Sequence, residues 1–270
     1  MSMNFDRAAG YYDATRGYRP EIGSAIAKSL AQAVDASAAT RFLEIGVGTG
    51  RIAIPLEQQG YAITGVDISL GMMARLADKV AELERAGRPV DVTLVEADMQ
   101  VLPFDDGEYD AVIAAHVFHL VADPIRAALE ALRVTAEGGS LLVCADMISG
   151  HEPMSVSEKW REIVRDTYGP IPSSAEAADD LLRELRIADP SLSITGLRPV
   201  NWHFTTTAAN DLENIRQRLW SNTWSLPDDV FAACLQELTR WCLAVFGDRM
   251  TDPLPREGEF VIRRVRRDVQ

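Results

Sequence analysis

The chain has 270 residues, of which 47% are hydrophobic and 25% charged, and a formal net charge of −13. That is enough apolar material for one large domain or a domain with an insert. The acidic balance argues against nucleic-acid backbones and anionic membranes as main partners, because both would repel it.

No uninterrupted apolar run reaches the ~20 residues of a membrane span. The N-terminus lacks a charged-then-apolar leader, so the expected location is cytoplasmic, with no membrane insertion. Cys144, Cys234 and Cys242 sit in apolar surroundings without paired spacing and are expected as reduced core thiols.

Residues 1–20 are polar and aromatic, with Phe5, Asp6, Tyr11, Tyr12, Asp13, Arg16 and Tyr18. An arm of this make-up is either a lid over a site or a tail. Pro20 then opens a helix carrying Ile22, Ile26 and Leu30 on one face. Next comes Phe42-Leu43-Glu44-Ile45-Gly46-Val47-Gly48-Thr49-Gly50-Arg51, an apolar run ending in three alternating glycines. It predicts strand, tight turn and helix, with the helix aiming free N–H groups at a ligand on the loop. Ile52 and Leu56 continue that helix, and Pro55 is tolerable in its first turn.

A second strand, 62–68, ends in Asp67. The helix after it carries Met72, Leu76, Val80 and Leu83 and closes near Gly87. Residues 90–95 form a third strand leading to Asp98, and 109–115 a fourth leading to His116 and His119. Asp123-Pro124 caps a helix with Ile125, Leu129 and Leu132, and Gly138-Gly139 turns the chain into a fifth strand over 140–145.

The alternation from about 40 to 147 means βαβ units and a parallel sheet, with ligands at the carboxyl ends of the strands. Residues 153–188 are expected to be mainly helical, and 194–207 to be one strand with Trp202. Two helices follow, the second capped by Ser225-Leu226-Pro227-Asp228, and then a last strand over 259–265. The basic cluster Arg263, Arg264, Arg266 and Arg267 is expected to be the solvated end of that strand.

The expected architecture is α/β and doubly wound. A helical cover follows the fifth strand as the expected acceptor side, where Trp160, Trp202, Trp220 and Trp224 suit the walls of a pocket for a flat or apolar small molecule, with core packing the commoner use of such residues. The boundaries are 1–40 for an arm and helix closing over the cofactor and 41–147 for the cofactor-binding core. Residues 148–256 form the cover with a sixth strand, and 257–270 the last strand.

The glycine spacing G-x-G-x-G, with Arg51 following, departs from the dinucleotide G-x-G-x-x-G. No Gly-Lys-Ser/Thr makes a phosphate loop. A ligand without phosphates needs hydrogen-bond acceptors instead. Asp67 is placed for ribose hydroxyls, Asp98 for an exocyclic adenine amine, and Glu44 for a cationic group. Asp67 as a mere helix N-cap is the competing reading, and the recurrence of a strand-end acid at Asp98 favours the ligand role. Met72 is equally readable as core, and Arg16 as a surface ion-pair member.

Four segments together carry a family resemblance: Leu43-Glu44-Ile45-Gly46-Val47-Gly48-Thr49-Gly50, Val66-Asp67-Ile68-Ser69, Ala97-Asp98-Met99 with Leu102-Pro103-Phe104, and Phe118-His119-Leu120-Val121-Ala122-Asp123-Pro124. With the lead-in 5–16, they resemble class I S-adenosylmethionine-dependent methyltransferases, in the small-molecule branch that includes the ubiquinone/menaquinone enzymes. The resemblance implies a Rossmann-like, seven-stranded sheet with its last strand antiparallel. It implies that Gly46, Gly48 and Gly50 line the methionine part of S-adenosylmethionine and that Asp67 binds the ribose. It further implies Ile68 and Met72 against the adenine, Asp98 and the Met99 backbone at the adenine amine, Ala115 under the methionyl end, and Tyr12 and Arg16 closing from the arm.

The expected function is metal-free, in-line methyl transfer to an O, N or C nucleophile of a small molecule, giving S-adenosylhomocysteine. His116 and His119 are the candidate bases where the acceptor needs one, each competing with an ordinary packing role. No His/Asp/Glu set has metal-ligand spacing. An NAD(P)-dependent oxidoreductase and a catalytically silent S-adenosylmethionine-binding protein are the alternatives.

Overall fold

A computed structural model describes residues 3–149 and 154–267. The outermost residues of the expected arm and last strand, and 150–153 of the expected cover, lie outside the described residues. In chain order the elements are α1 (Tyr12–Arg16), α2 (Pro20–Ala33), β1 (Phe42–Ile45), α3 (Ala53–Glu57), β2 (Ile63–Asp67), α4 (Leu70–Arg85) and β3 (Val92–Glu96). There follow β4 (Tyr109–Ala115), α5 (Pro124–Val134), β5 (Thr135–Ser149), α6 (Val156–Thr167), α7 (Ser174–Ala188) and β6 (Leu192–Gly196). The chain ends in β7 (Val200–Thr206), α8 (Ala208–Arg216), α9 (Asp228–Phe246) and β8 (Leu254–Arg267).

The strands form one sheet in the order β3-β2-β1-β4-β5-β8-β6, with β7 paired to β8. β1 runs parallel to both neighbours, Phe42 opposite Ile63 on one side and Ala111 on the other. All four of its residues are buried, as a strand covered on both faces requires. β2–β3 and β4–β5 are also parallel, and β8 runs antiparallel to β6. The sheet is mixed and mostly parallel, with eight strands where seven were expected.

The extra strand comes from the stretch 194–207, which is two strands. After Leu197 donates its N–H to Ile262 O, the chain meets Pro199, which has no N–H to continue a ladder. β5 starts earlier than the glycine pair suggested. Thr135 already pairs with Tyr109, and the register then shifts before Ala111 meets Ser140. Gly138 in this interval has φ 75°, and a side chain at Gly139 would collide with the carbonyl oxygens of Asp110 and Ala136.

Two compact units make up the chain. The first comprises Met1–Asp146, Ser174–Val200 and Phe260–Gln270, and the second Met147–Ser173 and Asn201–Glu259. The expected cover over 148–256 is therefore interrupted, because α7 and β6 belong with the sheet. In the first unit α2 buries Ile26, Ala27 and Leu30, and α4 buries Met72, Met73 and Leu76. α5 buries three alanines, whose small side chains suit close packing on the sheet. Its N-terminus is capped by Asp123, whose carboxylate accepts from Arg126 N–H, as the Asp-Pro pair predicts. The C-terminal arginines have intramolecular partners: Arg263 bonds Asp179, Arg264 the Ala33 carbonyl and Arg266 the Ser140 hydroxyl.

In the second unit α6, α8 and α9 share a core of Val156, Trp160, Ile163, Leu212, Ile215, Phe231, Leu238 and Cys242. Ser155 and Glu158 form a reciprocal capping box that starts α6. α9 lacks the expected side-chain cap: Pro227 occupies the N-cap position, and Asp228 pairs with Arg218 instead. Asp228–Arg249 is long and apolar enough to cross a membrane by length and composition alone. Its Phe231, Cys234, Leu238, Cys242 and Phe246 are buried in the unit's core. All three cysteines are free thiols and buried.

The tryptophans are used for packing here. Trp202 lies against Gly258, where a side chain would not fit, and the Trp224 indole donates to Arg218 O. Trp160 is 1% exposed and meets Phe231 edge-on at 5.6 Å. Trp160→Ala should therefore cost about 3–5 kcal/mol, seen as a lower urea midpoint by far-ultraviolet circular dichroism.

Candidate functional site

The site is built where β1 stops. Gly46, Gly48 and Gly50 take φ of 71°, 55° and 77°, a region that residues with a Cβ avoid. The N–H groups of Gly46 and Val47 both donate to Val66 O, at 2.7 and 2.9 Å, which stitches the bend to the end of β2. A Cβ on Gly46 would run into Val117, and one on Gly50 into Leu76. Gly48 is different: the nearest atom to a Cβ there would be Met72 Cε at 3.4 Å, an ordinary contact. Two glycines thus serve close packing, and the middle one leaves room over the loop. The expected helix on the loop is short. α3 begins only at Ala53 and has five residues, so no long helix aims its dipole at the bend.

Three carboxylates stand near or just past the carboxyl ends of β1, β2 and β3, in different states. Glu44 is 3% exposed, and its Oε2 has no hydrogen-bond partner among the described residues. Burial pushes its carboxyl up to about 8, against the opposing pull of Arg51 and the Ala53 N–H. Asp67 Oδ2 accepts from Gly48 N–H and Oδ1 from Ser69 N–H, both at 2.8 Å. Burial raises its pKa, and these N–H groups counter the rise. The helix N-cap is Ser69, whose hydroxyl accepts from Met72 N–H, so Asp67 is not the cap of α4. Asp98 lies two residues beyond the Asp67–Glu96 pair that closes β2 and β3, and its carboxylate accepts from the Gln100 N–H and side-chain amide.

Around these groups, Met72 is buried beside Gly48, and Met99 Cε comes within 3.6 Å of where a Gly46 Cβ would stand. Ile68 and Ala115, at the ends of β2 and β4, are half-buried.

The N-terminal arm is held against the loop and α4 by two acids. Asp6 accepts from the Ser69 hydroxyl and Gly71 N–H at 2.6 and 2.8 Å. Asp13 accepts from the Thr49 hydroxyl at 2.6 Å and pairs with Lys79 at 2.7 Å. Tyr12 stacks edge-on with Phe5, and the Arg16 carbonyl accepts from Arg51 Nη1 at 2.9 Å while the Arg16 side chain stays exposed.

His116 and His119 lie just past β4. Burial holds the His116 imidazole below its usual pKa, with Asp146 pulling the other way. His116 Nε2 is 3.2 Å from the Asp146 N–H and Nδ1 is 3.1 Å from Ser174 Oγ. His119 is lowered further, to about 4, by burial and then by the neighbouring His116 and Arg16 charges.

Sequence reasoning missed Asp146, Tyr18, Arg51 and Ser174. Burial alone would raise the Asp146 carboxyl, but His116, Arg51 and Tyr18 together hold it down at about 2. The signal was present: Asp146 directly follows the fifth strand expected over 140–145, as Asp67 and Asp98 stand at the ends of the second and third, although β5 itself continues to Ser149. Arg51 was read only as a departure from the dinucleotide pattern.

Relatives carry the same core. A phosphatidylethanolamine N-methyltransferase of Cereibacter sphaeroides is 31% identical over 161 residues, 60% of this chain and 74% of the relative. A demethylmenaquinone methyltransferase of Thermus thermophilus is 37% identical over 105 residues, 38% of this chain and 46% of the relative. The chain thus spans about half the length of this second relative. The YcgJ protein of Bacillus subtilis shares the fold with a TM-score of 0.56 at 15% identity, over 93% of this chain and 100% of that one. So does the [4+2]-cyclase SpnF, with a TM-score of 0.52 at 20% identity over 92% and 82%. At such identities the likeness is one of fold, which by itself fixes no chemistry. Residues 43–143 match the methyltransferase-domain family, from Leu43 in β1 to Val143 in β5, so the match takes in the glycine loop and every parallel strand pair; the chain belongs to the class I S-adenosylmethionine-dependent methyltransferases.

Proposed function

We propose that this chain holds S-adenosylmethionine on the Gly46–Gly50 bend and passes its methyl group to a small-molecule acceptor. The observation that carries the reading is the orphaned, buried Glu44 Oε2 beneath a loop whose middle glycine has room above it. A buried carboxyl with an unused oxygen costs stability unless a partner arrives. A cationic amine such as that of the methionyl end is a partner of the right charge.

Asp67 is the ribose ligand in this reading. Its two oxygens accept from the Gly48 and Ser69 N–H groups, with the Ile68 N–H as a further donor, and ribose hydroxyls would use lone pairs that remain. Asp98 and the Met99 backbone take the adenine amine, Ile68 and Met72 face the ring, Ala115 underlies the methionyl end, and Tyr12 and Arg16 close over it. When bound, the sulfonium supplies an already activated methyl group, so the protein's share is alignment and exclusion of water. His119 has no hydrogen-bond partner among the described residues and is neutral above about pH 4. An unprotonated ring nitrogen can therefore accept a hydrogen bond from the O–H or N–H of a methyl acceptor, whereas both nitrogens of His116 are engaged. The relatives' names differ in acceptor, phosphatidylethanolamine in one and demethylmenaquinone in others, so a turnover panel should hold both amines and quinols.

Calorimetry with S-adenosylhomocysteine, and with NADH as control, tests the reading. Asp67→Ala should weaken S-adenosylhomocysteine binding at least about tenfold, the loss of charge-assisted hydrogen bonds, and an unchanged dissociation constant would remove the ribose assignment.

Glu44 gives a second test with two opposite signs. Its folded-state pKa of about 8 lies above the ordinary 4.5, so the free protein binds a proton that the unfolded chain has lost. Stability of the free protein then falls as pH rises through that window. Glu44→Gln should raise the melting temperature of the ligand-free protein at pH 8. The same substitution should weaken S-adenosylhomocysteine binding and flatten the rise in affinity that the wild type shows from pH 6 to 8. A variant that changes neither property would show that Glu44 meets no ligand charge.

A further inference from the structure

Asp146, within β5, contacts groups from three other segments of the chain. Its Oδ1 accepts from the Tyr18 hydroxyl at 2.7 Å, where the N-terminal arm joins α2. Its Oδ2 lies 3.5 Å from Arg51 Nη1 and 3.3 Å from His116 Nε2, and its own N–H donates to the same Nε2. Arg51 closes the circle on the arm: it donates to Arg16 O, and its guanidinium stacks 4.4 Å above the Tyr18 ring.

His116 has φ 58°, a left-handed conformation that a residue with a side chain keeps only when its surroundings compel it. The compulsion is visible. Its N–H extends the β4–β5 ladder by donating to Cys144 O at 3.0 Å, and its ring is held between Asp146 and the Ser174 hydroxyl on α7.

His116 bridges two elements: Nε2 faces both the N–H and Oδ2 of Asp146, and Nδ1 faces the Ser174 hydroxyl, so both ring nitrogens are engaged whichever of them carries the proton. The three residues form a clamp.

We propose that Asp146 is a positioning residue, whose carboxylate ties the base of the N-terminal arm to the left-handed turn at His116 and so sets the shape of the cofactor side of the loop. This rests on the methyltransferase reading above. Losing Asp146 would release the arm and the turn together, with no loss of any group that touches the cofactor.

The test uses Asp146→Ala, Tyr18→Phe, His116→Ala and His116→Gly in the full chain. One measurement is the S-adenosylhomocysteine dissociation constant, and the other is the rate of tryptic cleavage after Arg16 in ligand-free protein. Asp146→Ala should weaken binding about tenfold and speed cleavage several-fold, and Tyr18→Phe should speed cleavage by less, as loss of one hydrogen bond implies. His116→Ala should weaken binding about fivefold, whereas His116→Gly should stay within about twofold of wild type, because glycine takes a positive φ without strain. If the ring only fills space, glycine will be the worse of the two, and that result overturns the proposal. So does an Asp146→Ala protein with binding and cleavage both within twofold of wild type. Should Asp146→Ala fail to fold, the His116 pair and Tyr18→Phe decide. Wild-type protein that fails to bind S-adenosylhomocysteine would sink the methyltransferase reading instead, and the cleavage rates would still report on the link to the arm.

Discussion

The bend at Gly46 must be tight enough for two consecutive N–H groups to reach one carbonyl, that of Val66. This pair of hydrogen bonds to the end of β2 brings the first two parallel strands to a common stop. It also leaves Val117 packed against Gly46 and Leu76 against Gly50. Everything else in the site is positioned relative to that stop. Asp67 reaches back to Gly48 N–H because β2 ends there, and Glu44 is trapped beneath because β1 is covered on both faces.

Buried charge is handled in two opposite ways within the same unit. Asp146 is surrounded by donors and stays ionised far below neutral pH, so it contributes order to the free protein. Glu44 is left one partner short and is pushed towards its protonated form. A protein that is only marginally stable tolerates few groups of the second kind, and they collect where a ligand can complete them. The contrast between a satisfied and an unsatisfied carboxylate separates framework from the proposed cofactor site better than conformation does.

Much of this was legible from residues alone. The parallel core could be read because buried strands, each ending in an acid, alternate with helices of clean period, and because three glycines cannot sit in a turn by accident. The caps at Ser69 and Asp123 follow the same local chemistry, and Ser69 in that position leaves Asp67 out of the capping role that competed with its reading as a ligand. What was missed depends on contacts distant in sequence. Pro199 splits a strand only because β8 comes alongside, and α7 joins the sheet because Leu181, Leu182 and Leu185 pack into its core. The clamp joins residues 18, 51, 116, 146 and 174, and no periodicity encodes such a meeting. Arg51 looked like a defect in one motif when it is an anchor in another arrangement.

The strand order has a consequence for how the protein is made. β8, which follows every other described strand in the chain, lies between β5 and β6. Until β8 has left the ribosome, both of those strands present bare hydrogen-bonding edges, and β6 has no neighbour to hold it in register. A nascent chain will therefore carry a nearly finished parallel core with an open seam during much of its translation, a period in which chaperones or stray strands of other molecules compete for the gap.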